Sequence, residues 1–385
     1  VGARGEGITL AKKRGQIKNF VRRSEESAPD ETLFIKAAPF LVAAALILSF
    51  IVSLAKHDTA DYVYILSIFT SSMVPFCSLL CIALPFFIGS NRIFSSGAAI
   101  AGWSGLCDVG KSKNLIISDT DLFPEGTVEM KRVRVFADED TKKVISYAGT
   151  LIRASGAACV SCFDELMKEN GCTVRSADCI EYLPGGGISG LIDGHTVLCG
   201  STDLMYLMNV RVPFRFVDKT TVMLAIDGIL YGIFNLIYNP LPQVRQALTS
   251  LMRSTRHPIF AIHDFNITPE MLHNCFDIAT DGYDFPPYVE RFSISSERAD
   301  SGNQIAAVIC REGLASVSTM ADTGRNMYVA TRINLIVTII GAVLGMLTMF
   351  IKLLVSGSVS IGFILVFMLI WAVPVFLSSI FMPTR

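Results

Sequence analysis

The sequence carries almost no net charge: 33 lysines and arginines stand against 34 aspartates and glutamates, leaving −1 over 385 residues. There is no global basic field to draw in nucleic acid, so functional electrostatics must be local. A disulfide framework is lacking as well. The ten cysteines are scattered without scaffold spacing, which points to a reducing compartment. The stretch from Val1 shows no signal-peptide pattern, and the chain reads as a piece that starts after upstream domains. What is present in quantity is apolar surface. Hydrophobic residues make up 51 % and mean hydropathy is +0.49, too apolar for an ordinary soluble protein and long enough for two domains. A membrane protein with a soluble insert fits.

Residues 1–36 are polar and basic, with Lys12, Lys13, Arg14, Lys18, Arg22 and Arg23 ahead of the first apolar run. Ala37 to Ala55 holds no charge and has roughly the 20 residues a span needs. The acidic connector His57 to Asp61 cannot cross back by itself, so Tyr64 to Ile88 is expected to return and close a hairpin over 37–89. Pro75 and Pro85 lie in it, each freeing a backbone carbonyl that a neighbour must satisfy. Cys77 and Cys81 fall one helical turn apart on one face, either soft ligands for a soft cation or small apolar packing residues. From Asn91 to about Arg332 nothing is long and apolar enough to span. Two further spans, Ile333 to Val355 and Val359 to Met382, close the region 333–382. The basic flanks at Arg22, Arg92 and Arg332 place both termini and the large insert in the cytoplasm.

Within the insert, an apolar strand at Leu115 to Ile117 runs into a turn bearing Asp119 and Asp121. Carboxylates there sit where open parallel sheets bind ligands; the alternative is an acidic turn that caps a helix. Strands at Thr221 to Ile226 and Tyr231 to Ile237, a helix from Pro242, and a strand at Ile259 to Ile262 ending in His263 and Asp264 follow the order of a parallel sheet with crossovers. The run Leu183 to Met205 contains Gly185, Gly187 and Gly190. This reads as a glycine turn between strands, where close backbone approach leaves room for an adenine or for another strand. Cys159 and Cys162 form a CxxC without a second pair at metal-ligand spacing, and the surrounding AACVSCFDEL reads as an amphipathic helix.

Gly97, Gly102, the strand and Gly126 resemble, without a gap, the join between the fourth membrane helix and the phosphorylation domain of P-type ATPases, most closely the heavy-metal branch. The family's DKTGTLTxG then falls with Ser118 on the phosphorylated Asp, Asp119 on the Lys, Thr120 on the Thr and Asp121 on the Gly. Leu183 to Met205 resembles the family's nucleotide-domain glycine run at Gly185, Gly187, Gly190, Gly194 and Gly200. Other family signatures are altered. The Ser-Glu-His-Pro position reads Ser155-Gly156-Ala157-Ala158, and TGD reads Ile262, His263, Asp264. GDGxND has no counterpart between Asp264 and Ser301, and CPC reads Val74, Pro75, Phe76. The resemblance resumes from Gly302 through Asn334 and Leu335, and Ser378 and Ser379 match a serine pair in the last core helix.

The resemblance implies an α/β membrane protein with four transmembrane helices and a cytoplasmic HAD-like Rossmann phosphorylation domain over 90–132 and 219–332. An inserted α+β nucleotide-domain-like module would occupy 133–218. It implies catalytic positions at Ser118, Asp119, Thr120, Asp121 and Asp264, nucleotide contacts at Gly185, Gly187 and Gly190, and Mg²⁺ and ATP as cofactors if activity survives. Its partners would be the lipid bilayer, a cation, a nucleotide and a separate actuator domain or partner subunit, since no TGE loop stands in residues 1–36. The first reading is a catalytically degenerate relative with a binding or regulatory role. The alternatives are an active cation translocase using Asp119 or Asp121 in a shifted register, and an ATP-independent membrane scaffold. Topology is checkable directly: a His57→Cys variant should label with a membrane-impermeant thiol reagent only from the non-cytoplasmic side, and cytoplasmic labelling would overturn the hairpin.

Overall fold

Parallel pairing organises the part of the chain that carries the acidic turn. The computed structural model describes residues 9–10, 17–26, 31–56, 61–73, 77–136, 141–213, 220–254, 256–279, 281–295, 308–311 and 313–381. The strand Asn114–Ile117 lies between Thr9–Leu10 and His257–Phe260 and is parallel to both. A strand at Thr9–Leu10 was not expected in the basic N-terminal segment. Register runs from His257 opposite Asn114 to Phe260 opposite Ile117, so both strands end at the same level. The chain divides into two compact units, one comprising Val1–Arg14, Ser112–Gln304 and Glu312–Ser318, the other the remainder.

In the first unit, the expected placement of the next two strands is corrected. Thr221–Ile226 and Ile229–Tyr238 do not join the parallel sheet; they form an antiparallel hairpin inside a six-stranded sheet. The order across that sheet is Val128–Val135, Ile229–Tyr238, Thr221–Ile226, His195–Gly200, Gly187–Ile192, Ala177–Leu183. The cause is the Asp227-Gly228 pair, with φ of 47° and 82°. Two successive positive φ values make a two-residue turn that reverses the chain at once, whereas a parallel pair needs a long crossover. Asp193-Gly194, with φ of 50° and 82°, does the same between Gly187–Ile192 and His195–Gly200. The helix Pro242–Arg253 and the strand His257–Phe260 do follow the expected parallel arrangement.

Helices Thr141–Ser155 and Val160–Glu169 cover one face of the antiparallel sheet, burying Tyr147, Leu151 and Phe163 against Ile188, Val222 and Phe234. The short helix Thr202–Leu207 covers the other with Leu204 and Met205 against Met223 and Ile233. The first of these cores is continuous with Leu115, Ile117, Phe123 and Phe260 of the parallel strands and their turn. Both sheets therefore share one apolar interior.

The second unit is mainly helical, with one small antiparallel pair between Ala98–Ile100 and Val308–Cys310. Among the described residues, three helices are long and apolar enough to cross a membrane: Ile35–Ala55, Leu314–Ser356 and Ile361–Ile380, with mean hydropathies of 2.4, 2.2 and 2.5. The expected return span is recorded as two shorter helices, Tyr62–Met73 and Cys77–Ser95, and Val74, Pro75 and Phe76 between them lie outside the described residues. The expected third span from Ile333 lies within the longer helix Leu314–Ser356. Apolar side chains such as Phe40, Leu54, Ile361 and Leu369 face outward, which water would penalise and lipid would not.

Proline chemistry sets the polar contacts among these helices. Pro85 has no N–H for the Cys81 carbonyl one turn back. Asn334 Nδ2, fully buried, donates to that carbonyl at 3.2 Å and to Ser379 Oγ at 3.1 Å, while the Ser378 hydroxyl donates to Asn334 Oδ1. Three helices are thereby joined through one amide. Asn334→Leu should cost about 0.6–2 kcal/mol, the range for a buried interhelical bond in lipid, read as a lower denaturation midpoint in bicelles. An unchanged midpoint would show that the carbonyl finds another donor.

Candidate functional site

The strand ends at Ile117 and Phe260 bring the acidic turn next to the segment Ala261 to Asp264, whose first amide continues the ladder by donating to the Ile117 carbonyl at 2.9 Å. The chain turns into a short helix at Asp119–Leu122, with Ser118 in extended conformation at its start. Asp119 is 3 % exposed. Its carboxylate accepts the backbone N–H of His263 and of Asp264, each at 2.8 Å, and also its own N–H and that of Ala158. Burial pushes its pKa up to about 6 despite those donors.

Asp264 is fully buried beside it. Its carboxylate accepts Tyr238 Oη at 2.8 Å and the Asn266 amide at 3.0 Å, and the Cys159 thiol donates to it. Burial first, then the charge of Asp119, raises its pKa to about 6. The same burial pushes the Tyr238 phenol and the Cys159 thiol well up, so both remain neutral donors. Cys162, whose thiol bonds the Cys159 carbonyl at 3.0 Å, is raised to about 12. These cysteines are packing residues of low thiolate character.

Ser118 Oγ donates to Asp121 Oδ2 at 2.8 Å, and the Ser118 N–H donates to the same oxygen at 3.0 Å. Asp121 is 4 % exposed. It closes the turn in the manner of a capping box, where the third helical residue reaches back to the N-cap amide. Thr120 is exposed, with its hydroxyl 3.4 Å from Ser118 Oγ. The five expected catalytic positions thus lie together, but Asp119, Asp121 and Asp264 are each turned onto protein donors.

His263, expected as a polar strand-end residue, is largely buried. Its ring stacks on Phe292 at 4.2 Å and 14°, and Phe292 stacks on Tyr182 at 3.6 Å and 16°. The ring donates to the Ser155 carbonyl, and Nε2 pairs with the Ser295 hydroxyl. Tyr288 Oη donates to the His263 carbonyl at 3.0 Å. Arg291 donates to the Pro286 carbonyl at 2.7 Å and lies 4.0 Å from the Phe285 ring centre. The aromatic segment carrying Tyr283, Phe285, Tyr288 and Phe292 went unnoticed in the sequence; the helical spacing of Tyr288 and Phe292 was the available signal.

The glycine run is packed rather than open. A Cβ on Gly187 would fall 2.3 Å from Leu204 Cδ2 and 2.6 Å from the Cys199 carbonyl. One on Gly190 would meet Leu151 Cδ2 at 3.0 Å, and one on Gly185 would meet Leu207 Cδ1 at 2.7 Å. Cys81 is buried, and the side chain of Cys77 lies outside the described residues. Among the described residues no three His, Cys, Asp or Glu side chains converge as metal ligands.

Over 249 residues the chain is 26 % identical to the manganese-exporting P-type ATPase of Mycobacterium tuberculosis, covering 61 % of this chain and 34 % of that protein. Over 164 residues it is 21 % identical to the probable copper-transporting ATPase SynA of Synechococcus elongatus, covering 43 % of this chain and 21 % of that one. It therefore spans about a third or less of the curated relatives it matches. The crystal structure of a zinc-transporting PIB-type ATPase in the E2.Pi state superposes with a TM-score of 0.49 at 12 % identity, over 96 % of this chain and 66 % of that one. No family model matches the chain. The apolar helices and the two P-type ATPases matched by sequence support an integral membrane protein.

The site makes stability depend on pH in two opposed ways. Burial lowers the His263 pKa from 6.5 to about 4, so the stability tied to its neutral form is present above 6.5 and lost as pH falls towards 4. Asp119 and Asp264, raised to about 6, contribute stability at pH below their ordinary 3.8 that is lost as pH rises through 6. His263→Phe keeps a stacking ring and removes only the first dependence. Between pH 7 and 4.5 wild type should lose on the order of 1–3 kcal/mol relative to that variant, measured by paired denaturation curves. Parallel losses in both proteins would show that His263 titrates normally.

Proposed function

We propose that this chain, which is related to the heavy-metal P-type ATPases, is a catalytically degenerate member of that group. On this reading it acts in the membrane through binding or regulation rather than phosphoryl transfer. One observation carries the reading: the amides of His263 and Asp264, at the position where the family's TGD holds the transferring phosphoryl, are already bonded to the protein's own Asp119 carboxylate. The aligned acceptor position is Ser118, whose hydroxyl is committed to Asp121.

Phosphoryl transfer asks for a positioned acceptor, metal ligands and donors aimed at the transferring charge. Mg²⁺ and ATP do not fit the residues present. Asp119 is saturated by backbone donors and Asp264 by Tyr238, Asn266 and Cys159. A phosphate entering here would meet buried carboxylates without an intervening cation, and would have to displace Asp119 from its amides. Cation transport, the activity named for the relatives, would have no phosphorylation cycle to drive it. A role through the bilayer-embedded helices and the folded insert is what remains.

The test is acid-quenched labelling of the purified chain with γ-labelled ATP and Mg²⁺. No hydroxylamine-sensitive phosphoenzyme should form in wild type, and Ser118→Asp should not create one. A single lost electrostatic donor typically costs about 10²–10³ in rate, and Ser118→Asp restores neither the amides nor the metal ligands. Label on Asp119 or Asp121 of wild type would replace this reading with an active, shifted-register cation pump.

A further inference from the structure

The helix Leu314–Ser356 carries no charge between Arg332 and Lys352. These two residues are 20 positions apart, about 30 Å at 1.5 Å per helical residue, which matches the thickness of a bilayer's hydrocarbon core. Arg332 and Lys352 therefore fall at the two headgroup levels. Arg332 also heads the outward face of the span, since Ile336 and Ile340, at i+4 and i+8 from it, are exposed.

At the level of Arg332 a small cluster is assembled from two helices. Arg325, Tyr328 and Arg332 share one helical face at i, i+3 and i+7. Arg332 Nη1 donates to Tyr328 Oη at 3.2 Å, and its guanidinium carbon lies 5.7 Å from the ring centre. Lys111, in the last turn of the helix Gly102–Lys111, brings its Nζ to 6.0 Å from the same centre. Tyr328 is buried and held in place through glycines on both helices. A Cβ on Gly110 would stand 2.2 Å from Tyr328 Cγ, and one on Gly324 would stand 2.6 Å from Val109 Cγ1. The phenol is thus a fixed post shared by two cations from different elements.

What these cations lack is a counter-charge. Among the described residues no carboxylate pairs with Arg325 or Arg332, and Asp108, whose charge reaches Lys111, is engaged by Arg23. Like charges gathered on one ring repel unless an anion joins them, and at headgroup height the anions at hand are lipid phosphates. We propose that Lys111, Tyr328 and Arg332 form a binding site for the headgroup of an anionic phospholipid, with Arg325 at its outer edge and an acyl chain along Ile336 and Ile340. The planar fork of Arg332 takes the phosphodiester, and Lys111 adds a point charge. A zwitterionic choline lipid would bring a further cation to a site that is already cationic. A basic flank that only orients the chain needs neither a fixed phenol nor a second cation from another helix. The site depends on the span of the helix and not on the acidic turn, so it stands whether or not phosphoryl transfer occurs.

The test is native mass spectrometry of the full chain in neutral detergent, titrated with phosphatidylglycerol, phosphatidylcholine or glycerol phosphate. Phosphatidylglycerol should add saturably and ahead of phosphatidylcholine, and glycerol phosphate at equal concentration should neither bind nor compete. Arg332→Gln and Lys111→Gln should each weaken phosphatidylglycerol binding about fivefold, the worth of one cation near an anionic membrane surface, and leave phosphatidylcholine unchanged. Arg332→Lys, which keeps the charge, should bind as wild type, and so should Lys352→Gln at the opposite headgroup level. Lys111, outside the span, carries the test should Arg332→Gln fail to fold. Equal binding of the two lipids would overturn the site, as would undiminished phosphatidylglycerol binding in both glutamine variants or an equal loss in Lys352→Gln. Saturation by glycerol phosphate alone would overturn it in favour of a soluble phosphate ligand.

Discussion

A buried carboxylate must be given hydrogen-bond donors or lose its charge, and the arrangement of the first unit follows from how Asp119 is supplied. Its donors come from three places in the sequence: its own turn, the His263-Asp264 strand end and the Ala158 turn. Meeting that requirement fixes the level at which the two parallel strands stop. It also brings the start of the Val160–Glu169 helix onto the same point. Asp264, placed beside it by the same geometry, then needs its own donors and obtains them from Tyr238 of the antiparallel sheet and Cys159 of the helical layer. One acidic turn thereby ties together both sheets and the helices between them.

Glycine plays a second part in this packing. Where a glycine run could have left space for a base, Leu204, Leu207 and Leu151 lie against it, and beside the Ala158 turn Gly156 admits the His263 ring. The residues that keep an opening in one protein can close it in another, because a missing Cβ gives room to whichever group is nearest. The apolar surroundings that result raise the pKa of both carboxylates and lower that of His263. The cluster is consequently assembled from neutral donors and backbone amides more than from ion pairs.

In the helical unit the same accounting applies to a carbonyl instead of a carboxylate. Pro85 removes a donor from the Cys81 carbonyl, and Asn334 supplies one while its own oxygen accepts the Ser378 hydroxyl. Small residues support the approach: a Cβ at Gly345 would lie 2.9 Å from the Ser72 carbonyl, and one at Gly341 would lie 3.0 Å from the Trp371 ring. Such close backbone packing is the usual means of association where lipid offers no hydrophobic drive.

By itself the sequence determined what depends on local chemistry. The apolar runs dictated membrane helices, and the short apolar stretch Leu115 to Ile117 followed by Asp119 and Asp121 dictated a strand ending in an acidic turn. The altered residues at Ser118, Ile262 and His263 were equally legible, because a resemblance is read position by position. The Asp227-Gly228 turn went unread, although Asp-Gly between two apolar runs is a hairpin signal, and the strands around it were therefore placed in the parallel sheet. What tertiary structure decided is where the acidic groups point and what fills the glycine turn. A carboxylate's partners here lie 144 and 145 residues away in the chain, and the rings that stack, Tyr182, Phe292 and His263, come from three separate elements. No local pattern encodes such meetings, because they exist only once burial of the common core has set the distances between those elements.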